Sequence, residues 1–109
     1  MATTTYRVIV LSCSGWVYPS AVRADYRDLN ALVGCDTGTV VRNILDKRSN
    51  GNTIDLWIDD EGAINGSEYN PTASAFAGYA IFGKAVVVAH TPEGELANLP
   101  DSLVESFLY

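Results

Sequence analysis

Ala85-Val86-Val87-Val88-Ala89-His90 is the stretch that decides the fold. Its first five residues are apolar without a break, and three of them are β-branched. A short run with no polar alternation is the mark of a strand covered on both faces, in the middle of a sheet. His90 follows that run and precedes Thr91-Pro92, so it stands where the strand ends and reads as a strand-end surface residue. The competing reading is a catalytic base. That needs an accompanying nucleophile motif, and the chain carries no GxSxG, no GxxxxGK[ST] and no HExxH.

Upstream of this strand, Asn70 and Pro71 stand at the N-cap and first position of a short helix. Apart from Phe76, small residues fill it from Thr72 to Ala77, and Gly78 ends it. Thr53 to Ile58 is a strand with Ile54, Leu56 and Ile58 toward the core, so Asp55 and Trp57 point the other way. Thr39 to Leu45 is another strand, and the polar loop from Asp46 to Asn52 carries the Asn50-Gly51 turn signal. Asp25 caps a helix whose Tyr26, Leu29, Leu32 and Val33 share one face, with Gly34 as its stop. Tyr6 to Leu11 is a buried strand, and the segment from Trp16 to Arg23 pairs back onto it. Pro19 makes that second strand an edge or puts a bulge in it. Downstream, Thr91 to Glu95 is a turn, and Pro100-Asp101 opens a final helix with Leu103, Val104, Phe107 and Leu108 on one face. The order is β-β-α-β-β-α-β-α. It describes a single α+β domain over residues 1–109, with a small, mainly antiparallel sheet of about five strands and three short helices.

Composition narrows the function classes. The chain has 109 residues, 48% of them hydrophobic, and a net charge of −6 from 7 basic and 13 acidic side chains. Such a chain holds a core of its own and is not a disordered tail. The acidic balance argues against binding a nucleic-acid duplex, which needs clustered Lys and Arg. Five of the acids, Asp55, Asp59, Asp60, Glu61 and Glu68, fall close together in a Gly- and Asp-rich stretch that reads as a solvated hairpin region. Asp59-Asp60-Glu61-Gly62 resembles a calcium loop only superficially, because Trp57 falls in the first ligand place. Cys13 and Cys35 form no CxxC, and together with His90 they fall short of the about four soft ligands a structural zinc needs, so no metal and no cofactor is expected, while their spacing alone permits a disulfide. The N-terminus lacks a basic region and a long apolar run, and no segment is long enough to span a bilayer. A cytoplasmic location with reduced thiols and no membrane partner is the expectation.

Four landmarks resemble a small domain-of-unknown-function family found in bacteriophage, plasmid and actinobacterial proteins. They are Tyr26 to Gly34, like that family's L-x-x-L-V-G-G helix end; Ile54 to Gly62, like its acidic D/N-E-G turn; Ile64 to Ala73, like its G-x-x-x-N-x-x-A segment; and Ile81 to Val88, like its I-x-G-x-x-x-V strand. Cys35 stands where the pattern has a second Gly. The resemblance implies a mobile-element accessory protein and brings no catalytic residue with it.

Two residue groups are candidates for binding. Asn70, Thr72 and Ala73 form a helix start able to seat a phosphate or carboxylate, with Tyr69 beside it to stack on a base. The plainer alternative is a helix whose Asn fixes only its own loop. Trp16, Tyr18 and Arg23 form a potential stacking or protein-contact face, or else cover the core at a sheet edge. These groups suit a non-enzymatic phage-type protein active in counter-defence or host takeover. It would sequester a small anionic or nucleotide signal, in a pocket between the subunits of a homo-oligomer, or block a host protein. The competing class is a small carboxylate- or metal-dependent hydrolase built on Asp59 and Glu68.

Overall fold

A computed structural model of the chain describes residues 4–34, 38–42, 48–49, 51–59, 61 and 66–108. Among the described residues seven strands and three helices follow one another: β1 (Tyr6–Leu11), β2 (Val17–Val22), α1 (Tyr26–Val33), β3 (Gly38–Arg42), β4 (Arg48–Ser49), β5 (Asn52–Asp59), α2 (Pro71–Ala77), β6 (Ala85–His90), β7 (Leu96–Ala97) and α3 (Asp101–Leu108). The five principal strands lie in the order β2-β1-β6-β5-β3, and every pairing is antiparallel. The two-residue strands β4 and β7 pair with β5 and β6. The α+β class and the central place of the Ala85–His90 strand are as expected. Of the strand expected over residues 39–45, residues 43–45 lie outside the described residues. Arg48–Ser49, read as loop, is a short strand instead. Ser49 faces Asn52 across Gly51, whose φ of 81° suits the tight turn.

The sheet is covered on both faces. One face carries Ile9, Leu11, Ile54, Leu56, Ala85, Val87 and Ala89, packed under Ala73, Phe76 and Ala77 of α2 and Leu103 and Val104 of α3. The other carries Val8, Val10, Val22, Val86 and Val88, packed under Leu29 and Val33 of α1, with Trp57 and Leu96 beside them. Strand side chains alternate, so β6 gives its odd residues to the first core and its even residues to the second. That is why its sequence is apolar without a gap.

Local chemistry sets the ends of α1. The Asp25 side chain accepts the Arg27 amide, and Gly34 takes the left-handed conformation (φ 82°) while its amide closes on the Asn30 carbonyl. Tyr26, expected on the core face, is 62% exposed. It is the first residue of the helix, whose buried positions are Leu29, Asn30 and Val33.

Pro19 lies on an edge strand for a geometric reason. The Ser12 amide donates to the Trp16 carbonyl (2.9 Å), and hydrogen-bonded pairs alternate along an antiparallel ladder. The Ile9–Pro19 pair is therefore a non-hydrogen-bonded one, and the Pro19 nitrogen faces away from β1. No ladder bond is lost, and the open edge offers one donor fewer to a passing strand.

Candidate functional site

The residues singled out around Asn70 serve the fold. Asn70 is fully buried, and its Oδ1 accepts the Ala73 amide (3.0 Å). Its Nδ2 donates to the carbonyls of Leu11 and Gly83, both at 2.9 Å. One side chain thus caps α2, holds the end of β1 and holds the approach to β6. The acceptor and both donors are occupied, and Ala73 is also fully buried. The anion seat expected here is taken by the protein's own side chain, in a helix of seven residues. Thr72 is half-buried. Tyr69 is 52% exposed and meets Phe82 edge to face, ring centroids 5.8 Å apart.

Trp16 and Tyr18 are exposed, at 74% and 42%. Arg23 does not join them. It lies just past the opposite end of β2, where its guanidinium grips Asp28 through Nε to Oδ2 (3.0 Å) and Nη2 to Oδ1 (2.8 Å), while its amide donates to the same carboxylate. Those hydrogen bonds hold the Asp28 carboxyl at about 2, below its ordinary 3.8, and raise the Arg23 guanidinium. Arg23 is the clasp between β2 and α1. Trp16 shares its end of the sheet with Tyr69 instead. Cys13, in the β1–β2 turn, directs its thiol to the Glu68 carbonyl (3.4 Å), and Asn70 reaches Leu11 beside it.

The most chemically loaded site lies at the other end of the sheet, under α1. Asp55, expected in the solvated acidic group, is buried (3% exposed), and its Oδ2 lies 3.2 Å from His90 Nδ1. Its Oδ1 is buried without a hydrogen-bond partner. Asp55 pairs with Val88 in the ladder and His90 with Thr53, so the two side chains are diagonal neighbours on one face. His90 opens on its far side into a cavity of about 480 Å³, walled by Tyr6, Tyr26 and Trp57 and edged by Asp25 and Glu95. Trp57 is locked there by its indole N–H donating to Asn30 Oδ1 (2.8 Å). With Nδ1 committed to the carboxylate, Nε2 is the ring nitrogen left for a ligand.

Period-two alternation places Asp55 and Trp57 opposite Ile54 and Leu56, but that face reads as solvent when the sheet is taken as one-sided. The usable signal was β6 itself. A strand buried on both faces requires cover on both, so the polar residues beside it are interior.

A shallower hollow of about 530 Å³ lies along β2, over Arg7, Pro19, Ser20 and Asn98. The charge it offers is Arg7, which is already paired with Asp101. Among the described residues no group of three or more His, Cys, Asp or Glu is placed to hold a metal ion, and no helix is long and apolar enough to cross a membrane.

The fold and pocket define a small α+β protein with an antiparallel sheet between two helical layers and a ring-lined hollow at one sheet end. The chain belongs to the family described as Domain of unknown function (DUF3846), whose model matches residues 6–109. No curated protein and no solved structure matches it.

Proposed function

We propose that this is a non-enzymatic accessory protein of phage type that acts in the cytoplasm by capture, holding a small ligand or a side chain of a host protein unaltered in the Trp57–His90 pocket. The observation that carries this reading is the ring-lined cavity. Trp57 is pinned by Asn30 and His90 by Asp55, so two of its lining side chains are set before a ligand arrives, and such preorganisation lowers the entropic cost of binding. The charged rim, Asp25 and Glu95, is acidic, so a nucleotide in this pocket would be held by its base and not by its phosphates. Self-association through the Trp16 end belongs to the same proposal. Trp16 is the most exposed of the large apolar side chains described.

A hydrolase is the second reading, and one observation favours it: an imidazole oriented by a buried carboxylate is how a general base is built. Against it, the described lining of the pocket holds no Ser, Thr, Cys or Lys to serve as nucleophile. One experiment separates the two. The protein is incubated with a cell extract and with defined nucleotides, washed, heated to release what it holds, and the released material is weighed by mass spectrometry. Recovery of an intact compound, abolished by Trp57→Ala, is the expected result. Altered products, or nothing retained, would overturn capture of a small ligand.

A further inference from the structure

The chemistry of the pocket walls goes further than capture. Tyr6, Tyr26 and Trp57 come from β1, the first turn of α1 and β5, so the chain assembles the three rings only on folding. Aromatic faces carry partial negative charge and attract cations within about 6 Å of the ring centre. Two carboxylate residues, Asp25 and Glu95, complete the rim, and no Lys or Arg is among the described lining residues. The rim already attracts one cation from within the chain. Arg27, outside the pocket lining, brings its Nε to 3.4 Å from Asp25 Oδ1, and the Arg27 amide caps against the same oxygen. His90 adds an acceptor. In the tautomer whose Nδ1–H donates a hydrogen bond to Asp55, Nε2 presents a lone pair to a ligand N–H.

We infer that the pocket takes an organic cation, a guanidinium or alkylammonium group, held between the rings of Tyr6, Tyr26 and Trp57 and countered by Asp25 and Glu95. The inference rests on the capture reading and names the chemical class captured. Two sources offer this chemistry, a free amine and an Arg or Lys side chain of a host protein.

The test reads Trp57 fluorescence in a Trp16→Phe background, which leaves the pocket indole as the reporter. The probes are tetramethylammonium, N-acetyl-arginine amide and a blocked Gly-Arg-Gly peptide, with acetate, inorganic phosphate and AMP as counterparts. The cations are expected to give saturable changes and the anions none. Glu95→Gln weakens binding about two- to fivefold, as expected for one exposed counter-charge. Tyr26→Leu, at an exposed position the core does not need, weakens it by about two- to fivefold through loss of a ring. Arg27→Ala removes the competing guanidinium and tightens it. Tighter binding of the peptide than of the free cations assigns the source to a partner protein, and equal binding assigns it to a free amine. Saturation by phosphate or AMP with no response to the cations would overturn the inference and leave capture standing. No response to any probe up to ~10 mM, where even a millimolar site saturates, would overturn the cation class. Capture itself is decided separately by the heat-release experiment.

Discussion

His90 Nδ1 lies 3.2 Å from Asp55 Oδ2, on a diagonal between β5 and β6 and beneath α1. The side chains are 17% and 4% exposed, so the pair belongs to the interior on one side and to the pocket on the other. An acidic side chain this deep costs desolvation energy unless it is paired. Its partner therefore matters to stability as well as to any ligand.

His90→Ala leaves the buried Asp55 carboxyl without its hydrogen-bond partner, and is expected to destabilise the fold by about 1–3 kcal/mol. Asp55→Asn removes the charge and keeps a hydrogen-bonding group, so its cost is smaller. Urea denaturation of the two variants gives the ranking, and a Asp55→Asn/His90→Ala double variant is expected to be more stable than the sum of the single effects.

Asn70 supports a second comparison. Asn70→Ala removes the α2 cap, worth about 1 kcal/mol, and strips partners from two carbonyls at about 1–3 kcal/mol for each group left unsatisfied. Asn70→Asp keeps the cap acceptor but sets a carboxylate against the Leu11 and Gly83 carbonyls. That substitution is expected to be costlier at pH 7 than at pH 4, because the protonated carboxyl regains a donor. Thermal denaturation at the two pH values checks the sign.

The clasp between Arg23 and Asp28 predicts an acid dependence. Folding holds the Asp28 carboxyl at about 2 against an ordinary 3.8, so its contribution is complete above the ordinary value and is lost as pH falls toward 2. Asp25 is shifted the same way by the Arg27 amide. Asp28→Asn is expected to lower the denaturation midpoint at pH 7 and to flatten its decline between these two values. A midpoint series across acid pH measures both.

Asn30→Ala leaves the Trp57 indole N–H without its 2.8 Å acceptor in a half-buried position. The expected loss is about 1–3 kcal/mol, with a shift in Trp57 emission as the ring loses its fixed setting. Trp16→Ser, at a position 74% exposed, is expected to change stability by no more than about 0.5 kcal/mol. Light scattering of Trp16→Ser beside the parent chain is expected to show weaker self-association.

The local elements were legible because their causes are local. Asp25 and Gly34 bound α1, Asn70 and Pro71 open α2, and the Ala85–Ala89 run names the central strand, each through chemistry within a few residues. Residue contacts across the chain were not legible. Arg23 has the right type for a site beside Trp16, yet it faces Asp28 because it lies past the far end of its strand. Asn70 has the right type for a ligand, yet its amide bridges Leu11 and Gly83, positions 59 and 13 residues away.

Alternation, caps and turn residues in the sequence therefore determined the class, the order of elements and the middle of the sheet, since these depend on neighbours along the chain. Tertiary structure alone decided which helices cover each face of the sheet, that Asp55 and His90 meet, and that three rings from separate elements share one pocket. Those outcomes depend on strand register and on where α1 lies across the sheet. Both are settled by burying the two apolar faces at once, a condition on the whole chain and not on any segment of it.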